Sequence, residues 1–254
     1  MTVIEGLALA AAGVAAGIVS TVVGLASVVS YPALLAIGLP PLAANMTNTV
    51  ALLFTGVGAA AGSRPELAGQ ASRIRRLGTI AALGGGAGAA LLLVTPPQTF
   101  VRVAPILIGA ASLALLAPSR QDRAPGPGAG PGHDTRSPWL LAGVAGVAVY
   151  IGYFGAAGGI VMLALLIAMV AEPLARVNAV KNMLGAIGNA VAAVAFAVFG
   201  HVDWAAVVPL AGGFLVGGWT GPALVRRIPG RVLRIGVAVC GLAVAVKLGI
   251  SAYG

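Results

Sequence analysis

The sequence is poor in the residues on which most enzymes, redox proteins and metalloproteins depend. Only 8% of its 254 residues are charged, and it contains two histidines and one cysteine. That cysteine, Cys240, lies among apolar residues and has no partner for an internal disulfide, so we predict that it fills the core. No Ser-His-Asp arrangement, Cys/His cluster or G-x-x-x-x-G-K-S/T motif is present. The sequence therefore predicts no enzyme, no metal centre, no cofactor and no direct use of ATP.

Acidic residues are also scarce, and none is well placed inside an apolar segment. Glu5 is close to the N-terminus, Glu66 lies in a loop, Glu172 precedes a proline and Asp203 lies in a short connection. Carboxylates inside a bilayer usually mark proton relays or cation sites. A site built on buried carboxylates is therefore disfavoured.

Apolar residues and glycine are abundant instead. Hydrophobic residues account for 59% of the chain, 38 residues are glycine, and the mean hydropathy is +1.02. This composition predicts an integral membrane protein, whose helices pack closely through small side chains. The net charge of +9 could indicate nucleic acid, but the basic residues lie mainly at helix ends, as membrane topology requires. Met1-Thr-Val-Ile-Glu5 carries no Lys or Arg, which predicts a retained first span and not a signal peptide.

Ten apolar segments form two similar sets of five. The second segment of each set, with roughly 13 residues, is shorter than the roughly 20 that span about 30 Å of hydrocarbon. It is either re-entrant or crosses with part of its backbone extended. The predicted segments are roughly 3–23, 27–39, 45–62, 77–94 and 100–117, then 139–155, 158–171, 178–199, 204–224 and 232–251.

A segment rich in proline and glycine separates the two sets. Residues 118–138 include Ala-Pro-Gly-Pro-Gly-Ala-Gly-Pro-Gly and have no helical periodicity, which predicts a flexible cytoplasmic linker. The predicted domains are therefore a first transmembrane repeat, 1–117, the linker, 118–138, and a second repeat, 139–254.

The distribution of basic residues predicts that the two repeats have opposite orientations. In the first repeat the arginines lie between segments three and four, whereas in the second they lie mainly between segments four and five. With five crossings per repeat and both termini outside, every Lys and Arg except Arg102 and Lys247 falls on the cytoplasmic side. An odd number of crossings inverts the second repeat. Inverted repeats are typical of secondary transporters, in which the substrate binds where the repeats meet.

A glycine follows the first helix of each repeat, at Gly24 and at Gly155, and Gly158 and Gly159 extend the second motif. Glycine lets the backbone leave the helix, and the N–H groups of the helix that restarts can bind an anion. A turn or close helix packing is the alternative, because glycine serves those purposes too. The recurrence of the glycine in both repeats keeps the binding interpretation open.

A polar stripe recurs at the start of the third helix of each repeat. Its members are spaced at i, i+3 and i+4, so they share one helix face. Amides have little reason to face lipid, and they cap a helix, bond across helices or line a polar cavity. The stripe comprises Asn45, Asn48 and Thr49 in the first repeat and Asn178, Lys181 and Asn182 in the second, where Gly185 and Asn189 extend it.

Three of these positions have alternative interpretations. Asn45 and Asn178 are expected at the first positions of their helices, so helix N-caps are the simpler interpretation. Lys181 is either a cation at the cytoplasmic edge whose ammonium reaches water, or the cation that meets an anionic substrate.

The two-copy plan and several motifs resemble the TauE/SafE sulfite-exporter family, also called the TSUP permeases. The resemblance covers nearly the whole chain outside the linker. It is stronger in the second repeat, because the first has Gly24-Leu-Ala-Ser27 where further glycines would be expected. It implies a bacterial inner-membrane transporter of small sulfur-containing anions, such as sulfite or an organosulfonate. The motifs are Gly152-Tyr-Phe-Gly-Ala-Ala-Gly-Gly159, Arg176-Val-Asn-Ala-Val-Lys-Asn182, Val202-Asp-Trp204 and Arg226-Arg-Ile-Pro229.

The combined expectation is an all-helical secondary transporter, monomeric or homo-oligomeric, that works by alternating access with or without a coupling ion. Its anion would bind between the repeats, because an oxyanion needs several convergent donors. A carboxylate permease, a passive anion channel and a non-transport membrane subunit are the alternatives. The expected donors are N–H groups near Gly24 and Gly155 and the side chains of Asn48, Thr49, Lys181 and Asn182.

Overall fold

The computed structural model describes residues 2–22, 24–96, 98–102, 137–154, 158–170 and 172–225, with isolated positions at 105, 106, 109 and 113 and between 235 and 250. This part of the chain is helical and contains no strand, which confirms the predicted all-helical class. The helices with defined bounds are α1 (Val3–Val22), α2 (Ala26–Ala36), α3 (Pro41–Gly62), α4 (Arg64–Leu67), α5 (Ala71–Val94), α6 (Pro138–Tyr153), α7 (Gly158–Met169), α8 (Leu174–Phe199) and α9 (Trp204–Val225).

Within the described part of the chain, five helices are long and apolar enough to cross a membrane, as the composition predicts. They are Val3–Val22, Pro41–Gly62, Ala71–Val94, Ala175–Phe199 and Trp204–Ala223. The predicted fifth segments, 100–117 and 232–251, and nearly all of the predicted linker lie outside the continuously described residues.

The helix that follows each glycine motif is short. Helix α2 has 11 residues and α7 has 12, which at about 1.5 Å per residue gives roughly 17 Å, well below the thickness of the hydrocarbon core. Between α1 and α2 the chain passes through Gly24, whose φ is +90°. Side chains rarely adopt this left-handed backbone, so glycine is what permits the break.

The third helix of each half begins four residues earlier than predicted. Helix α3 begins at Pro41 and α8 at Leu174, each preceded by a proline with extended backbone that serves as the N-cap. Proline favours the first helical turn because it has no N–H to leave unpaired. The prediction that these helices open at Asn45 and Asn178 is therefore wrong, and both asparagines lie in the second turn.

Glycine seams join helices from the two halves of the sequence. A Cβ atom on Gly17 of α1 would lie 2.9 Å from the backbone nitrogen of Gly218 in α9. A Cβ atom on Gly84 of α5 would lie 2.6 Å from the Cβ atom of Ala148 in α6. Neither seam has room for a side chain, so the helix backbones are in direct contact.

The order of the contacts shows that the helices in each seam run in the same direction. Gly13 faces Gly213 and Gly17 faces Gly217, so α1 and α9 are parallel. In the second seam Gly84 faces Ala145, and the next turn of α5 toward its C-terminus faces the C-terminal end of α6. Helix α5 is therefore parallel to α6.

The helices form two bundles, and each bundle contains helices from both halves. In the first bundle α9 packs against α1 and α3, and α2 packs beside them; in the second bundle α5 packs against α6 and α8, and α7 packs beside them. Helices α3 and α8 contact each other and join the two bundles. The halves thus exchange one helix each.

Charged residues link the two halves at one end of the molecule. Arg176, in the first turn of α8, pairs with Glu172 at 3.1 Å and donates to the Ala68 carbonyl, before α5, at 2.7 Å. Arg73 of α5 reaches the same carboxylate at 3.4 Å. The corner before α8 and the loop before α5 therefore lie at the same end.

We expect the α5–α6 seam to fail when a side chain is inserted. Gly84→Leu would push against the backbone and side chains of α6, and overpacking of this kind costs about 1–3 kcal/mol or more. The matched control is Gly146→Leu, in α6, where a Cβ atom meets nothing within 4 Å. Thermal unfolding of the purified proteins in detergent should show a lower melting temperature for Gly84→Leu alone. Equal melting temperatures would contradict the seam.

Candidate functional site between the two bundles

The end of α1 leaves carbonyl groups inside the bundle that the next helical turn does not satisfy. The Thr21 carbonyl accepts a hydrogen bond from Asn178 Nδ2 at 3.0 Å and lies 3.4 Å from Asn182 Nδ2. Lys181 Nζ lies 3.4 Å from both the Ser20 and the Thr21 carbonyl oxygens. The last turn of a helix carries partial negative charge, which favours a cation there. Three donors of α8 therefore satisfy the interrupted end of α1.

The end of α6 has a corresponding arrangement. Asn45 of α3 donates from Nδ2 to the Tyr153 carbonyl at 3.3 Å. Asn45 and Asn178 therefore cap the C-terminal end of the interrupted helix in the opposite half. Their interpretation as N-caps of their own helices is wrong, because Pro40 and Pro173 occupy the N-cap positions.

Lys181 is buried, with only 2% of its surface exposed. Its hydrogen-bond partners are two backbone carbonyls, and among the described residues no carboxylate lies within ion-pair distance of it. Burial of an unpaired charge is costly, and the end of α1 offsets only part of that cost. Lys181 is thus a basic side chain with spare hydrogen-bonding capacity inside the protein, and an anion beside it would offset the cost of its charge.

A cavity of about 60 Å³ lies next to Lys181, between the two bundles. One wall comes from α1, α2 and α3, and the other comes from α6, α7 and α8. One water molecule needs roughly 10–15 Å³ by the same measure, so the cavity has room for a small ion with a few waters. Its polar lining residues are Ser20, Thr21, Thr55, Lys181, Asn182 and Asn189.

Four of the predicted site residues line this cavity: Gly24, Gly159, Lys181 and Asn182. The two glycines bring the helix breaks together, because a Cβ atom on Gly159 would lie 2.5 Å from the Cα atom of Gly24. The backbones of the two halves can approach this closely only where both residues lack a side chain.

The other predicted residues do not line the cavity. Asn45 and Asn178 cap the helix ends, Asn48 donates from Nδ2 to Ser27 Oγ at 3.1 Å, and the Thr49 hydroxyl donates to the Asn45 carbonyl of its own helix at 2.9 Å. Gly158 packs against the side chain of Ile151. Gly155 lies outside the described residues.

Three polar residues of the cavity were missed by the sequence analysis: Ser20, Thr21 and Thr55. Thr55 lies seven positions after Asn48 on α3, just as Asn189 lies seven positions after Asn182 on α8. Helical periodicity could therefore have identified Thr55 as a member of the stripe. The Thr55 hydroxyl and the Asn189 amide oxygen are both buried without a hydrogen-bond partner. Ser20 and Thr21 immediately precede the break.

The electrostatics of the cavity favour an anion. Lys181 supplies a positive charge, and the amide groups of Asn182 and Asn189 and the Thr55 hydroxyl supply further donors. Ala26, the first residue of α2, lines the cavity, so the positive end of the α2 dipole faces it. The described lining contains no carboxylate that would repel an anion.

One comparison with known proteins gives a match. The family model described as sulfite exporter TauE/SafE matches residues 9–248. No curated protein and no solved structure matches the chain.

Asn178 should contribute more to stability than Asn182, although both contact the same carbonyl. Asn178→Ala removes the 3.0 Å hydrogen bond, the shortest that the Thr21 carbonyl accepts from α8, and a hydrogen bond of this kind contributes about 0.5–1.5 kcal/mol. Asn182→Ala removes a longer contact of 3.4 Å and should cost less. The free energy of unfolding in detergent measures both losses. Equal losses would contradict the assignment of Asn178 as the main cap of α1.

Proposed function

The chain belongs to the sulfite exporter TauE/SafE family, and we propose that it transports a small sulfur oxyanion, sulfite above all, out of the cell by alternating access. Membership implies a multi-pass membrane transporter of the sulfite-exporter type. The proposal adds the substrate, the binding residues, the direction and the mechanism.

The observation that carries the proposal is Lys181 at the edge of the cavity. A transporter of a small anion needs a positive charge that is shielded from lipid and accessible to the substrate. Lys181 meets this requirement because it is buried, unpaired with any described carboxylate and part of the cavity lining. The ammonium would bind one oxygen of the substrate.

Neutral donors would complete the site. The amides of Asn182 and Asn189 and the Thr55 hydroxyl lie on opposite walls of the cavity, so they can reach an oxyanion from both sides. The first turn of α2 has unpaired N–H groups, which favour an anion beside Ala26. Several neutral donors with one cation hold an oxyanion without trapping it.

The inverted repeat is part of the proposal. The parallel seams and the exchange of α5 and α9 between the bundles support it, because the main helix contacts of one half have counterparts in the other. We assign residues 1–117 and 139–254 to the two repeats and 118–138 to a cytoplasmic linker. The cavity lies between the bundles, so a rocking motion of one against the other would open it to each side in turn.

The location follows from the charge distribution. The end of the molecule that carries Arg64, Arg73 and Arg176 would face the cytoplasm, which puts both termini outside a bacterial inner membrane. The protein would act as a monomer or a homo-oligomer.

A panel of anions should separate sulfur oxyanions from the alternatives. We expect sulfite to raise the melting temperature of the purified protein most, because a ligand that binds the folded state stabilises it. Sulfate and thiosulfate test the charge, taurine and sulfoacetate test the size limit of the cavity, and acetate tests the carboxylate alternative. Stabilisation by carboxylates alone would contradict the proposed substrate, and conductance in a planar bilayer would contradict alternating access.

Lys181→Met should weaken sulfite binding without changing the length of the side chain much. A hydrogen bond to a charged group contributes about 1.5–3 kcal/mol, which corresponds to a roughly 10- to 150-fold increase in Kd. Isothermal titration well below the melting temperature measures this change. The matched control is Arg76→Met. It removes one exposed positive charge from the end of the molecule that carries Arg73 and Arg176, and it should leave Kd unchanged. A Kd for Lys181→Met equal to that of the control would contradict the proposed site.

A further inference from the structure

A contact between α5 and α8 is related to a contact between α3 and α9 by one shift in residue number. Gly85 packs against the backbone of Gly188, and Gly218 packs against the backbone of Thr55. Gly188 lies 133 positions after Thr55, and Gly218 lies 133 positions after Gly85. Each residue of one contact therefore has its equivalent in the other contact.

The same shift relates the polar stripes of α3 and α8. Asn45 corresponds to Asn178, and each of these residues donates to a carbonyl in the last turn of the interrupted helix of the opposite half, α6 for Asn45 and α1 for Asn178. Asn48 corresponds to Lys181. Lys181 Nζ lies 3.4 Å from the carbonyls of Ser20 and Thr21 at the end of α1, whereas Asn48, at the corresponding position of α3, carries a neutral amide.

Residues of α2 and α3 that contact the end of α6, or lie one turn from such a residue, carry oxygen atoms with unused hydrogen-bonding capacity. The Oδ1 atoms of Asn45 and Asn48 and the Tyr31 hydroxyl are buried and have no hydrogen-bond partner. Both asparagines are 1% exposed. Asn45 contacts the Tyr153 carbonyl, Asn48 contacts Ser27 Oγ, and the Tyr31 ring packs against the residue after Tyr153. Buried amide oxygens of this kind normally have a partner.

We propose that a monovalent cation, sodium in the first instance, binds at the end of α6 in the position that Lys181 fills at the end of α1. Its ligands would be the amide oxygens of Asn45 and Asn48 and the Tyr153 carbonyl. Hard cations prefer oxygen ligands, and the C-terminal ends of interrupted helices hold coupling ions in secondary transporters. The site contains no described carboxylate, which favours a single charge over a double one.

The Asn45 side chain suits the site both without and with a bound cation. Its Nδ2 atom donates to the Tyr153 carbonyl at 3.3 Å, and a half-turn of the amide presents Oδ1 to the same place. Asn45 would thus cap the carbonyl by itself or, together with that carbonyl, ligate a cation. The role of this ion in coupling rests on the proposed function, but its binding does not.

The test compares the melting temperature of the purified protein in sodium chloride and in choline chloride at equal concentration. Sodium should raise the melting temperature of the unmodified protein. Asn48→Leu should lose the response because it removes a ligand. Asn48→Lys should also lose it, because the new ammonium copies Lys181, and its melting temperature in choline should stay near that of the unmodified protein in sodium. Asn189→Leu, in the cavity but outside this site, should keep the response.

Equal melting temperatures of the unmodified protein in sodium and choline would overturn the cation site. A sodium response that persists in Asn48→Lys would overturn it too. If both Asn48 variants fail to fold, binding of radioactive sodium to the unmodified protein decides: saturable binding supports the site, and its absence overturns it. Sulfite stabilisation measured in choline keeps the two proposals apart, because it depends on Lys181 and not on Asn48.

Discussion

The structure depends on one constraint: backbone carbonyls that a broken helix leaves inside a membrane must find donors within the protein. Helix α1 ends at Val22, and the left-handed Gly24 turns the chain into the short α2. The carbonyls of Ser20 and Thr21 face the interior between the bundles and not bulk water, and α8 supplies them with an amide and an ammonium. The break therefore requires the other half of the chain.

The same constraint places the proposed substrate site at the interface between the bundles. Lys181 lies on α8 in one bundle, and the carbonyls it contacts belong to α1 in the other. Its ammonium has three N–H groups, two of which face these carbonyls at 3.4 Å, so an oxyanion that drew the side chain toward the third would lengthen the two carbonyl contacts. In the proposed mechanism, anion binding would weaken a link between the bundles. Occupancy of the site would then favour the motion that alternating access needs.

Much of this arrangement could be predicted from the sequence. The glycine at 24, the short helices and the stripe with Lys181 at its centre all follow from composition and spacing. The predicted starts of α3 and α8 at Asn45 and Asn178 were four residues late, because Pro40 and Pro173 are the N-caps and the helices begin directly after them. The partners of the asparagines could not be predicted, because a stripe shows which residues share a face and not which helix lies opposite. The exchange of α5 and α9 is a long-range contact of this kind.

The most direct test of the account is the position of the anion. Crystals of the purified protein soaked with selenite, the selenium analogue of sulfite, would locate it through anomalous scattering at the selenium edge. The account predicts one peak between the bundles, within hydrogen-bonding distance of Lys181 Nζ and facing Asn182 and Thr55. A peak away from this cavity, or saturable transport of selenite by a protein whose crystals show none there, would contradict it.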